Sequence, residues 1–92
     1  MMHLQKDVIV ANKKGLHARP AALLVGIAGK YDVVVTIVKG EERVNGKSIM
    51  GLLMLGAVYQ TPLTVIVDGA QAQEAMTAIE DFFSKQEEEF IK

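Results

Sequence analysis

The sequence predicts an α+β fold in which a mainly antiparallel sheet of four strands carries three helices on one face. Three observations point there. Short β-branched runs and helical segments alternate in the order β-α-β-β-α-β-α. One strand alternates, with Leu63, Val65 and Val67 on one face and Thr64, Ile66 and Asp68 on the other, as expected of a half-buried strand in a sheet that is covered on one side. The chain has 92 residues, 50% of them apolar, a formal net charge of −1 and no cysteine. That suits a single compact domain over 1–92 whose small core draws on nearly every element.

Residues 4–11 hold the β-favouring Val8, Ile9 and Val10 and stop at Asn12-Lys13-Lys14-Gly15, a turn signal, so the first strand belongs there. Residues 18–28 are rich in Ala and Leu without alternation and have Gly29 just past their end, which predicts a helix. The run Val33-Val34-Val35-Thr36-Ile37-Val38 reads as a strand, Lys39-Gly40-Glu41-Glu42 as a turn, and Arg43-Val44 as a brief return, making a hairpin. Ser48 is a favoured N-cap for a short apolar helix over 49–55. No charged residue occurs from Ser48 to Val67, a length that could span a bilayer. Pro62 and a change of period break that run, so it reads as helix, turn and strand, without membrane insertion. Residues 63–68 alternate, with Leu63, Val65 and Val67 on one face. In residues 71–84, Ala72, Ala75, Met76, Ile79, Phe82 and Phe83 recur at helical spacing and mark the last helix. Residues 86–92 read as a charged extension.

Composition excludes several functions. Without cysteine there are no disulfides, thiolate metal sites or thiol catalysis. A near-neutral chain with five scattered aromatics lacks the basic excess of a nucleic-acid module. The first residues carry no apolar segment of the secretory kind, which predicts a cytoplasmic protein. A metal site built from His3 and His17 has nothing else to complete it, and His3 is expected to be an idle terminal residue. No cofactor is implied.

Gly15-Leu16-His17-Ala18-Arg19-Pro20 carries the most chemistry. Pro20 lacks a backbone N–H and so belongs in the first turn of a helix, which puts the helix start near His17. Unpaired N–H groups and the positive end of the helix dipole favour an anion such as phosphate there and disfavour an imidazolium, leaving a neutral imidazole nucleophile. Arg19 adds a guanidinium that can hold phosphate through two N–H groups. The competing reading is a histidine that merely caps the helix beside a solvated arginine. Lys13 and Lys14 either solvate the turn or add positive potential for acidic partners.

Ser48 likewise reads as a plain N-cap or as a modification site, where added charge would obstruct a partner docking on the apolar residues that follow. Ile49, Met50, Leu52, Leu53, Met54 and Leu55 leave that short helix no polar side, so some must face water. With the lopsided first helix they could form one docking patch near His17.

Gly15-Leu16-His17-Ala18-Arg19-Pro20-Ala21, together with Asn45-Gly46-Lys47-Ser48-Ile49-Met50-Gly51 and Leu55-Gly56, resembles the HPr family, the histidine-containing phosphocarriers of the bacterial sugar phosphotransferase system. The resemblance covers about residues 4–85. It implies an open-faced sandwich and a carrier, not an enzyme. His17 would take phosphate from phosphorylated enzyme I and pass it to IIA domains of sugar permeases, with Arg19 assisting. It places a regulatory serine, the target of HPr kinase/phosphorylase in some relatives, at Ser48, and partner contacts at Ala22, Leu23, Ile49, Met50 and Leu53. A monomer suits such a carrier.

Lys13-Lys14 and Val58-Tyr59-Gln60-Thr61 depart from the commoner forms, and the Asn-Lys-x-Gly start is similar to the nitrogen-related branch, NPr. Two other classes compete with the carrier. A small phosphatase of the acylphosphatase kind would use Gly15 and Arg19 as a cradle, but no asparagine pairs with them convincingly. A binding module would act through Ser48 and the apolar patch with His17 idle.

Overall fold

A computed structural model of the chain describes residues 2–85. The elements follow the predicted order: β1 (Met2–Ile9), α1 (Ala18–Ala28), β2 (Val34–Lys39), β3 (Glu42–Asn45), α2 (Ile49–Met54), β4 (Pro62–Gly69) and α3 (Ala72–Phe83). The strands form one antiparallel sheet in the order β1-β4-β2-β3. β4 is the strand whose alternation is cleanest, and it takes a central place. Leu63, Val65 and Val67 are buried beneath the helices, beside Val35 and Ile37 of β2. The opposite face, with Val34, Thr64, Ile66 and Asp68, is left uncovered.

α3 presents Ala72, Ala75, Met76, Ile79, Phe82 and Phe83 to this core, each nearly fully buried. α1 contributes Pro20, Ala21, Leu24 and Ala28, a stripe at helical spacing, and packs against both α2 and α3. The two-residue hairpin between β2 and β3 turns at Gly40 and Glu41, between the paired Lys39 and Glu42. Gly40 has φ +59°, and the positive φ at the first central position is the II′ geometry that matches strand twist.

Several boundaries differ from expectation. β1 begins and ends two residues early, because Met2 pairs with Gly69 whereas Val10 turns into the loop that follows. The second strand of the hairpin runs one residue further at each end than Arg43-Val44. α2 stops at Met54, with Leu55 as its C-cap, and Gln71 and Ser84 cap α3 instead of lying inside it. Gly29 caps α1 in a right-handed conformation, φ −67°, so the left-handed glycine ending is not used. His3 is no loose terminal residue: it pairs with Asp68 in the β1–β4 ladder, and its Nδ1 meets Asp68 Oδ1 on the uncovered face. The charged segment 86–92 lies outside the described residues. Among the described residues no helix is long and apolar enough to cross a membrane.

Candidate functional site

Sheet topology decides where the chemistry collects. β1 and β4 are antiparallel neighbours with Ile9 opposite Pro62, so the loop leaving β1 runs beside the loop entering β4. Backbone hydrogen bonds join the two loops. Val10 N–H donates to Thr61 O at 3.1 Å, Gln60 N–H to Val10 O at 2.8 Å, and Leu16 N–H to Ala57 O at 2.8 Å. Gly15 sits at φ +77°, and a Cβ there would lie 2.8 Å from Ala57 O, so the close approach of the loops requires glycine.

His17 follows directly as the N-cap residue of α1, in extended conformation, and its carbonyl accepts the first helical bond from Ala21 N–H at 2.9 Å. Its side chain makes no capping bond to the helix. His17 is thus the N-cap residue by its backbone, as the competing reading expected, without a capping bond from the imidazole. His17 is half-buried and lines a shallow, open hollow together with Lys14, Leu16, Leu53 of α2 and residues 56–58. Pro20 falls in the first turn, as its missing N–H demands, and is buried. Arg19 is exposed two residues after His17, and Lys13 and Lys14 are exposed just before it. The first turn of α1 holds no acidic residue, so an anion arriving at His17 meets the helix dipole and three cationic side chains nearby in sequence.

Ser48 caps α2 from an extended conformation, its Oγ accepting from Gly51 N–H at 3.0 Å. Here the structural role is realised. From that cap, α2 buries Leu52, with Leu55 buried at its C-cap, and turns Ile49, Met50, Leu53 and Met54 outward; Met50 is 68% and Met54 75% exposed. On α1, Ala22 is exposed and Leu23 half-buried against the core. Leu53 is the patch residue that reaches the His17 hollow. The loop before β4 adds exposed apolar surface: Val58 and Tyr59 are both exposed, and Val58 lines the hollow itself. In the sequence that segment is only a variant turn, because its nearness to His17 depends on the β1–β4 pairing. Among the described residues, no group of three or more His, Asp or Glu is placed to hold a metal ion.

Comparison with known proteins agrees with this arrangement. The family model for the PTS HPr component phosphorylation site matches residues 4–85. The phosphocarrier protein HPr of Treponema pallidum is 42% identical over 84 residues, 91% of this chain and 96% of its own. The phosphocarrier protein NPr of Shewanella violacea is 39% identical over 79 residues, 86% of this chain and 87% of its own. A crystal structure of the phosphocarrier protein HPr from Bacillus anthracis superposes with a TM-score of 0.85 at 37% identity, covering 90% of this chain and 99% of that one. Fold and match together define a phosphocarrier, a protein that ferries phosphoryl groups without being a catalytic enzyme. The chain belongs to the HPr/NPr family of the phosphotransferase system.

Proposed function

We propose that His17 accepts a phosphoryl group from phosphorylated enzyme I and passes it to IIA domains of sugar permeases. The observation that carries this reading is the position of His17: at the start of α1, on an open hollow, with an imidazole that the helix does not use as its cap. In the transfer, the bond between phosphorus and the donor breaks as a ring nitrogen of His17 bonds to phosphorus. The product gathers close to two negative charges beside the helix N-terminus, and the Arg19 guanidinium balances them. Positioning and charge stabilisation are most of what phosphoryl transfer asks of a protein. The shallow hollow fits a group that must be handed from one protein surface to another.

Ala22, Leu23, Ile49, Met50 and Leu53 form the partner-binding surface, acting as a monomer in the cytoplasm and presenting one face to each partner in turn. Ser48 stands at its edge, and phosphorylation there by an HPr kinase/phosphorylase places charge against Ile49 and Met50. A nitrogen-branch carrier is the second reading. Asn12-Lys13-Lys14-Gly15 and the NPr relative at 39% identity favour it. The test incubates the protein with phosphoenolpyruvate and each enzyme I paralogue and follows 31P resonances. A phosphohistidine signal that is lost in His17→Ala supports the carrier, and the paralogue that produces it identifies the branch. No signal with either donor overturns the reading.

A further inference from the structure

Among the described residues Asn12 is the polar side chain that the fold buries, at 8% exposure. Burying an amide is costly unless both its ends are bonded. Asn12 Nδ2–H donates to Gly15 O at 3.2 Å, and Asn12 Oδ1 accepts a longer bond from Lys14 N–H at 3.4 Å. Its backbone O accepts from Gly15 N–H at 2.9 Å, closing a four-residue turn with Asn first and Gly last. Asn12 lines a small cavity together with Val10, Pro20, Phe82 and Phe83. The residues leading to His17 are thus held twice: from inside the loop by Asn12, and from the neighbouring loop by Ala57 O on Leu16 N–H. The backbone that these contacts fix leads directly into His17, the N-cap residue of α1.

We propose that Asn12 is a positioning residue for phosphoryl transfer, holding the 12–16 turn so that His17 faces the incoming phosphorus. The proposal rests on the phosphocarrier reading. Its effect falls on the chemical step and leaves docking intact, because the exposed residues of α2 are set by the Ser48 cap and by burial of Leu52. Asn12→Ala removes both side-chain bonds. Asn12→Asp keeps the shape and the bond from Lys14 N–H, but sets a carboxylate against Gly15 O.

Each variant is assayed below its unfolding temperature as phosphoryl acceptor, with varied carrier concentration and a fixed phosphorylated donor, beside wild type and His17→Ala. The expected result is a roughly tenfold lower kcat with KM within twofold of wild type for both Asn12 variants. Asn12→Ser, which retains a hydroxyl donor, is expected to lose less and carries the comparison if the other two do not fold. Unchanged kcat in the folded variants, or a loss confined to KM, overturns the proposal. An inert wild type instead overturns the phosphocarrier reading itself.

Discussion

Gly15 and Gln60 show at single residues how the loops around His17 are built. Gly15 combines φ +77° with a backbone oxygen 2.8 Å from where a Cβ would sit. Gly15→Ala therefore meets a conformational cost of about 1–2 kcal/mol and a steric one besides. Gln60 adopts φ +68° with a side chain present, where a glycine would fit without strain. Relief of that strain outweighs the extra entropy lost by glycine, so Gln60→Gly is expected to stabilise by up to about 1 kcal/mol and Gly15→Ala to destabilise by more than 2. Urea unfolding of the two variants checks the opposite signs. His17→Ala, by contrast, removes no capping bond, and its unfolding free energy is expected to stay within about 1 kcal/mol of wild type while phosphoryl acceptance is abolished. A large loss of stability would show that the imidazole holds the fold together.

At the level of elements, α2 is the piece whose two sides meet different surroundings. Its N-cap is a bonded Ser48 hydroxyl, its anchor is Leu52, and its remaining apolar side chains face solvent. Ser48→Ala loses the cap and is expected to cost about 1 kcal/mol in thermal or urea unfolding. Ser48→Asp can still accept from Gly51 N–H, so the account expects it to unfold like wild type while binding enzyme I more weakly in a calorimetric titration. Unchanged affinity would separate Ser48 from the docking surface. Elements of this kind were legible because their signals are local. Pro20 and the Ala-rich stretch mark α1, the alternation of Leu63, Val65 and Val67 marks β4, and the spacing from Ala72 to Phe83 marks α3. Strand ends were less legible, since pairing with a distant partner extends β1 back to Met2 and releases Val10.

At the scale of the molecule, the site exists because β4 lies between β1 and β2. That order sets the loop before α1 against the loop before β4, so Ala57 O and Val58 come to frame a histidine forty residues earlier in the chain. The helix-start positions of His17, Arg19 and Ser48, which make them candidates, were legible because each has its own local grammar. The contribution of residues 56–58 was not, being a product of strand order alone. The roles of Asn12 and Lys39 were hidden for a related reason: both read as turn residues, yet one bonds Gly15 O and the other donates from Nζ to Leu55 O at 2.9 Å, at the end of α2. The whole arrangement sets His17 on an open hollow that Lys14 also lines, next to the exposed apolar side chains Leu53 and Val58. The proposed carrier role requires the phosphoryl group to reside on His17. Intact mass after incubation with phosphoenolpyruvate and enzyme I, before and after acid treatment and in His17→Ala, decides whether it does. One added phosphoryl group, lost in acid and absent from the variant, is the predicted result; an acid-stable adduct, or one that persists in His17→Ala, would contradict it.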